Sequence, residues 1–277
     1  MLDGDVSATQ VKLRHRGRGY GQGRRNGFPL AWRSGWMAAM SLRDLPTRIG
    51  FWPEIALLDG VKVPIRGSAL SPRMRRHLMR GGYERSERKL LDRLIRPGDR
   101  VIELGASLGI VTSLLAKKAA PGGMVAAVEP NRLLHHHFER QLSLNGIGAK
   151  LVQALGCPLW DGPVPEEIRG QRFTAVENSL SGRAAGAEGD VVPWLTLREV
   201  AERAGLVEPT AIVVDVEGGE QVWTEHAPGF PPSVRTVIVE IHPHLIGEEK
   251  SGACVQALVR EGFGIAGISG TVFGMVR

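Results

Sequence analysis

Val101-Ile-Glu-Leu-Gly-Ala-Ser-Leu-Gly109 is a short apolar run that leads directly into a loop with two glycines. A helical pattern follows the loop. Open α/β sheets bind ligands at the carboxyl ends of their strands, where such loops turn into helices. Glycine allows the tight turn and lets a ligand approach where a Cβ would collide. The stretch therefore predicts a strand, a ligand-binding loop and a helix.

Short apolar runs and amphipathic segments alternate through the rest of the chain, which is typical of a mainly parallel sheet covered by helices on both faces. We expect a Rossmann-like α/β fold with a seven-stranded sheet. The predicted strands are residues 101–104, 124–128, 150–154, 211–215, 236–241, 264–268 and 271–276, and the predicted helices are residues 110–118, 133–145, 197–204 and 255–261.

Composition divides the chain into three predicted segments. Residues 1–28 form a basic, glycine-rich leader that we expect to be disordered. Residues 29–80 contain a short amphipathic helix and then a hairpin around Asp59-Gly60, a turn dipeptide whose two positions both take positive φ. Residues 81–277 hold the alternating pattern and form the predicted catalytic domain.

Charge and hydropathy limit the classes of partner. Residues 1–36 hold seven Lys and Arg against two Asp, a net charge of +5 out of +6 for the chain, so the rest is nearly neutral. The concentrated charge is interpreted as part of the disordered leader, with a polyanion-binding arm as the alternative. A nucleic-acid acceptor is not expected, because the Asn/Asp-Pro-Pro-Tyr type of motif is absent and Asp215-Val-Glu-Gly stands in its place. No run approaches the roughly 18 apolar residues of a membrane span, and no signal peptide is evident. We expect a cytoplasmic protein without a membrane partner. The chain has two cysteines, Cys157 and Cys254, which are too few for a disulfide framework or a cysteine-rich zinc site. No functional role is assigned to them.

The acid at the end of the first parallel strand, Glu103, indicates which cofactor the loop serves. A dinucleotide loop holds a pyrophosphate, and a neighbouring carboxylate would repel that anion. S-adenosylmethionine carries an ammonium and a sulfonium, which a carboxylate attracts. Glu129 lies 24 residues after Gly105, at the tip of the next strand, where an acid can bind both ribose hydroxyls. The sequence therefore predicts S-adenosylmethionine as the cofactor.

Two further strand ends carry polar residues that suit proton transfer. Methyl transfer requires alignment of the acceptor and removal of its proton. The predicted base is Asp215 or His242, and Glu217 is predicted to orient the substrate. Glu220 is interpreted as favouring the first turn of the next helix.

Glu240, His242 and His244 would lie on one side of the strand at 236–241 if it continued through Pro243. Three interpretations stay open for this group: a divalent metal site, a general base at His242, or ordinary polar residues. No metal is predicted. The run 135–137, three consecutive histidines, is interpreted as solvated surface, because consecutive helical residues point in different directions.

These motifs resemble the FkbM family of S-adenosylmethionine-dependent methyltransferases over about residues 54–270. The Asp-Val-Glu-Gly block that begins at Asp215 is the most specific of them. In chain order, the motifs are Tyr83-Glu84, residues 96–110, Glu129-Pro130-Asn131, Asn145-Gly146, Leu195-Thr196-Leu197, residues 215–220 and Glu240-Ile-His-Pro243.

The resemblance implies a class I methyltransferase fold and O-methylation of a hydroxyl group on a small natural product or saccharide. It also implies that Leu155 and Gly156 lie near the adenine. The alternatives are a nucleic-acid methyltransferase that uses the basic arm, a metal-assisted O-methyltransferase that uses Asp215 with Glu240 or His242, and a non-catalytic cofactor-binding module. The predicted cofactor contacts are Tyr83, Glu84, Glu103, Gly105, Ala106, Ser107, Gly109, Glu129, Pro130, Asn131, Leu155, Gly156 and Asp215.

Overall fold

The structure is a computed structural model that describes residues 52–175, 182–184 and 189–277. The leader predicted over residues 1–28 and the helix predicted within residues 29–48 lie outside these ranges. All described residues belong to one compact unit. Within them, no helix has the length and apolar character that a membrane span requires.

The described residues form thirteen strands, eight α-helices and a 3-10 helix at Gly219–Thr224. The strands are β1 (Ile55–Leu58), β2 (Val61–Pro64), β3 (Arg100–Leu104), β4 (Met124–Val128), β5 (Lys150–Val152), β6 (Leu155–Gly156), β7 (Phe173–Ala175), β8 (Gly182–Ala184), β9 (Trp194–Leu195), β10 (Ala211–Val214), β11 (Thr236–Glu240), β12 (Gly264–Ser269) and β13 (Val272–Val276). The helices are α1 (Pro72–Met79), α2 (Arg85–Leu94), α3 (Ile110–Ala119), α4 (Arg132–Asn145), α5 (Glu166–Arg169), α6 (Leu197–Ala204), α7 (Pro243–Ile246) and α8 (Glu248–Arg260).

The central sheet has seven strands in the spatial order β12, β13, β11, β10, β3, β4, β5. The five strands from β11 to β5 in this order run parallel, whereas β13 pairs antiparallel with both of its neighbours. This is the Rossmann-like, mainly parallel seven-stranded fold predicted from the sequence. The chain reverses its direction of progress across the sheet between β3 and β10, and ligands of such sheets bind at this switch point.

The buried strands alternate between two apolar cores, one on each face of the sheet. On β3, Ile102 packs into the core beneath α6 and α8, together with Leu197 and Leu258. Its neighbour Val101 packs into the opposite core with Leu115 of α3. Because both faces are covered, a ligand has access only to the ends of the strands.

The predicted hairpin is present, and α4 holds it in place. Asp59 and Gly60 form the turn with φ values of 47° and 78°, as the dipeptide predicts. The side chain of Asn145 accepts a hydrogen bond from the N–H of Lys62 and donates one to its carbonyl oxygen, both at 2.8 Å. The Asn145-Gly146 motif therefore anchors the hairpin.

Two predicted boundaries differ clearly from the structure. The strand predicted at 150–154 ends at Val152, and Leu155–Gly156 instead pairs with Trp194–Leu195 in a separate two-stranded sheet. The helix predicted at 255–261 begins already at Glu248. Apolar periodicity does not reveal its first turns because they are polar and exposed.

Candidate functional site

A cavity of about 340 Å³ opens at the carboxyl ends of β3, β4 and β10. Its volume lies at the lower end of the range for small-molecule sites, roughly 300 to 1,000 Å³. Six carboxylates line it, and none of its described lining residues is Lys, Arg or His. The predicted site residues that line the cavity are Tyr83, Glu84, Glu103, Gly105, Ala106, Ser107, Glu129, Pro130, Leu155, Gly156, Asp215 and Glu217.

The loop after β3 passes very close to the end of β10. Gly105 has φ of 92°, and a Cβ at this position would overlap the carbonyl oxygen of Asp215. Ser107 also has positive φ, at 48°, a region that is strained for a residue with a side chain. Gly109 does not line the cavity but caps the N-terminus of α3. Gly105 therefore serves the close approach of two strand ends, whereas a Cβ at Gly109 would meet the ring of Phe138.

Glu129 holds the loops after β3 and β4 together. Its Oε2 accepts a hydrogen bond from the N–H of Ser107 and its Oε1 from the N–H of Asn131, both at 2.7 Å. Asn131 lies behind the cavity, where its side chain accepts from the N–H of Leu133 and caps α4. Burial raises the pKa of Glu129 to about 7, against the lowering effect of its two hydrogen bonds. Its remaining lone pairs suit hydroxyl donors in the cavity.

Glu103 lies at the end of β3 and is only 2% exposed. Its Oε2 accepts a hydrogen bond from the hydroxyl of Thr112 at 2.6 Å. Its Oε1 has no hydrogen-bond partner among the described residues. Burial raises the pKa of Glu103 to about 8. One oxygen of this carboxyl group is thus left for a ligand.

We use the name strand-tip cluster for four residues at the ends of β10 and β11. They are Asp215, Glu217, Glu240 and His242. Nε2 of His242 lies 3.4 Å from Oδ1 of Asp215 and 3.8 Å from Oε2 of Glu217. Three of these residues each have one potential ligand atom within 4.8 Å of the others, namely Asp215, Glu240 and His242. The cluster therefore brings the three predicted catalytic residues together.

Glu220 orients His242, a role that the sequence interpretation missed. Its fully buried carboxylate accepts hydrogen bonds from the N–H of His242 at 2.8 Å and of Gly218 at 3.0 Å. The same carboxylate lies 3.1 Å from Nδ1 of His242. Nε2 of His242 is therefore the ring nitrogen that faces Asp215. The sequence shows that Glu220 is the third acid in the block 215–220, but it does not show which residue that acid contacts.

The ionisation of the cluster reflects this arrangement. Burial lowers the pKa of His242, but the carboxylates of Asp215 and Glu220 outweigh burial and raise it to about 10. Burial raises the pKa of Glu240, and the charge of Asp215 raises it further. In the chain without a ligand, the ring of His242 is thus surrounded by several carboxyl groups.

The start of α2 adds two acids to the cavity wall. Glu84 precedes the helix with φ of 42°, and burial raises its pKa to about 7. Glu87 was not predicted, although it is 5% exposed and lines the cavity. It precedes Leu90 and Leu91 by three and four residues on the buried stripe of α2, so helical periodicity could have revealed it.

The histidines outside the cluster differ from their sequence interpretations. His244 lies in α7 and is exposed, because the strand ends at Glu240 before Pro243. His135 is half-buried, and its Nε2 lies 3.0 Å from the carbonyl oxygen of Glu129. The interpretation of residues 135–137 as solvated surface is therefore wrong for His135.

No protein-family model matches this chain, and no curated protein matches it. Several solved structures have a similar fold. A methyltransferase from Pyrococcus furiosus is 14% identical with a TM-score of 0.42, over 84% of this chain and 94% of that one. The ribosomal protein L11 methylase from Lactobacillus delbrueckii subsp. bulgaricus is 15% identical with a TM-score of 0.39, over 70% and 77%. Fibrillarin from Aeropyrum pernix, in complex with natively bound S-adenosyl-L-methionine, is 14% identical with a TM-score of 0.38, over 66% of each chain.

Proposed function

We propose that the chain binds S-adenosylmethionine in this cavity and is a methyltransferase. The observation that carries the proposal is Oε1 of Glu103, which is buried beside the cavity and has no hydrogen-bond partner among the described residues. A buried carboxylate oxygen without a partner is costly, and a bound cation or donor removes that cost. The ammonium of the cofactor's methionine half is such a partner.

The rest of the cavity fits the same cofactor. Glu129 is held by two backbone N–H groups and retains lone pairs for the ribose hydroxyls. The described lining has six carboxylates and no basic residue, which disfavours a pyrophosphate or a nucleic-acid backbone. The bound cofactor would supply a methyl group made electrophilic by the positively charged sulfur.

Asp215 is our proposed general base, with Glu217 orienting the acceptor. Asp215 lines the cavity at the end of β10, and its Oδ1 makes no hydrogen bond with a described residue. Its carboxylate is therefore available to accept the hydroxyl proton of an acceptor. His242, fixed by Glu220, lies behind both acids and holds them in position.

The acceptor that we propose is a hydroxyl group of a small natural product or saccharide. This proposal comes from the resemblance to the FkbM family. The positions of the motif residues support it, because the 215–220 block and the Glu240-Ile-His242 segment form adjacent parts of one site. An acid-lined cavity also suits a small neutral acceptor better than a phosphate backbone.

Calorimetric titration with S-adenosylhomocysteine tests the proposed cofactor. The full chain should bind one equivalent, and Glu103→Gln should bind about 10 to 100 times more weakly, since a hydrogen bond to a charged group contributes about 1.5 to 3 kcal/mol. Glu139→Gln, at an exposed position on α4, is the matched control and should bind as the native chain does. Absence of binding by the native chain would refute the proposal.

Methyl transfer from labelled cofactor then separates the acceptor classes. We expect label in a hydroxylated small molecule and none in RNA or DNA. Deletion of residues 1–36 should leave this transfer intact, whereas a nucleic-acid methyltransferase that uses the basic arm would lose it. A chain that binds the cofactor but labels no acceptor of either class would fit the non-catalytic alternative.

A further inference from the structure

Two atoms of the strand-tip cluster face each other without a hydrogen bond. They are Nε2 of His242 and Oδ1 of Asp215, which lie 3.4 Å apart. Oδ1 is buried and has no hydrogen-bond partner in the described part of the chain. A separation of roughly 3 to 3.5 Å is what two ligands show when each lies about 2.1 Å from one metal ion.

Glu240 supplies a third donor from the neighbouring strand end. One ligand atom from each of Asp215, Glu240 and His242 fall within 4.8 Å of one another. Asp215 follows β10 directly, and Glu240 is the last residue of β11, so the parallel sheet itself fixes their spacing. Two ligands that each lie about 2.1 Å from one ion are at most about 4.2 Å apart, so ion binding would draw these donors closer together.

Glu220 gives the histidine the support that metal-binding histidines require. In metal sites, the second ring nitrogen of a histidine ligand is usually bonded to a carboxylate or carbonyl group, which fixes the orientation of the ring. Here the fully buried carboxylate of Glu220 lies 3.1 Å from Nδ1 of His242 and also accepts its backbone N–H. The ligand nitrogen is therefore held facing Asp215 before any ion binds.

A further buried acid, Glu87, adds to the negative charge around this cluster. Glu87 is 5% exposed and lines the same cavity as Asp215. S-adenosylmethionine, with two positive groups and one carboxylate, would balance only one of the cavity's six carboxylates.

We propose that Asp215, Glu240 and His242 bind a divalent transition-metal cation of the Mn²⁺ class, with Glu220 as the positioning residue of the histidine ligand. Two carboxylates and one imidazole are a donor set for Mn²⁺ or Fe²⁺ more than for Mg²⁺, which prefers oxygen alone. If the proposed function holds, an ion at this site would bind the acceptor's hydroxyl oxygen and favour loss of its proton.

Direct binding of Mn²⁺ tests the site without any acceptor. The free Mn²⁺ electron paramagnetic resonance signal is titrated with the untagged full chain, and the native chain should remove one equivalent. Glu240→Gln and Asp215→Asn should bind Mn²⁺ at least tenfold more weakly. Glu220→Gln should also weaken it by about 10 to 100-fold, as for other residues that orient a ligand. Glu139→Gln should bind as the native chain does.

Glu240→Gln is the decisive variant because Glu240 is half-buried and tolerates replacement better than His242. A thermal melt that matches the native chain shows that it is folded. Absence of saturable Mn²⁺ binding by the native chain, or equal binding by all variants, would overturn the site. Titration of the same samples with S-adenosylhomocysteine keeps the two proposals apart. Loss of that binding with Mn²⁺ binding intact refutes only the proposed function, and the reverse refutes only the metal site.

Discussion

The carboxylates on the two sides of the cavity are held by different contacts. On the loop side, Glu103 and Glu129 receive hydrogen bonds from a hydroxyl and from two backbone N–H groups. At the strand-tip cluster, Oδ1 of Asp215 receives no hydrogen bond and lies 3.4 Å from Nε2 of His242. Oε1 of Glu103 also lacks a hydrogen bond, but the other oxygen of that carboxyl group is held by Thr112. The carboxylates of the loop side are therefore oriented before a ligand binds. Those of the strand-tip cluster have little positive charge beside them.

This difference assigns different tasks to the two sides. Donors from the backbone fix the direction of a carboxylate and suit recognition of a ligand that binds in one orientation. Acids that repel one another gain most when a cation or a proton arrives between them. We therefore expect loop-side variants to change cofactor affinity and cluster variants to change turnover.

The largest expected effect is a loss of turnover, and it distinguishes the strand-tip cluster from the loop side. Asp215→Asn removes the proposed base and should lower turnover by about 10² to 10⁴-fold, the usual contribution of a general base. Affinity for S-adenosylhomocysteine should change by less than about tenfold, because Glu103 and Glu129 remain. Turnover with labelled cofactor and calorimetry are measured on one preparation. Full turnover by a folded variant would remove Asp215 from the chemistry.

Replacement of Gly105 by Ala should instead disturb the loop after β3, on the loop side of the cavity. The Cβ would overlap the carbonyl oxygen of Asp215 at φ of 92°, so the variant combines an unfavourable backbone conformation with a backbone collision. We expect a loss of about 3 kcal/mol in the free energy of unfolding, from about 1 to 2 for the backbone and 1 to 3 for overpacking. Chemical denaturation measures it.

Gly122→Ala is the matched control for that variant. Gly122 has φ of 83°, but an added Cβ would meet nothing within 4 Å. Only the backbone term applies, so the loss should be about 1 to 2 kcal/mol. Equal losses at both positions would show that the close approach to Asp215 is not what requires glycine at 105.

The pH dependence of stability tests the burial of Glu103. Its pKa is about 8 in the folded chain against an ordinary value of 4.5. The folded chain therefore holds this proton more tightly than the unfolded chain, which destabilises the fold progressively as pH rises from about 4.5 to 8. Glu103→Gln removes the effect, so its free energy of unfolding should rise by a few kcal/mol relative to the native chain over this range, at about 1.4 kcal/mol per pKa unit.

The control for the pH experiment is Glu139→Gln, since Glu139 is exposed on α4. Its curve of unfolding free energy against pH should run parallel to that of the native chain. If the Glu103→Gln curve is also parallel, then the carboxyl group of Glu103 is solvated and cannot have the orphaned oxygen on which the proposed function rests.

Local sequence signals predicted the strands of the central sheet and the hairpin, because each depends on residues near one another in the chain. The Asp59-Gly60 turn and the apolar run before Glu103 are examples. The partnership of Glu220 with His242 joins residues 22 apart across two strand ends. Nothing in the spacing encodes it, since it depends on β10 and β11 being neighbours in the sheet.

The split of the predicted strand at 150–154 has a similar cause. Leu155 and Gly156 pair with Trp194 and Leu195, about forty residues later in the chain. A Cβ at Gly156 would collide with the side chain of Leu104, so the segment crosses close to the end of β3. Apolar pattern alone cannot show which of two sheets a short run joins.

The smallest expected effect concerns His244 and sharpens the boundary of the strand-tip cluster. Its ring lies 5.8 Å from that of His242, but it belongs to α7 and is exposed. His244→Ala should therefore leave Mn²⁺ affinity and S-adenosylhomocysteine affinity within about twofold of the native values, whereas His242→Ala should abolish Mn²⁺ binding. A tenfold loss of Mn²⁺ affinity in His244→Ala would place this residue among the ligands. It would also mean that the segment after Pro243 rearranges when the ion binds.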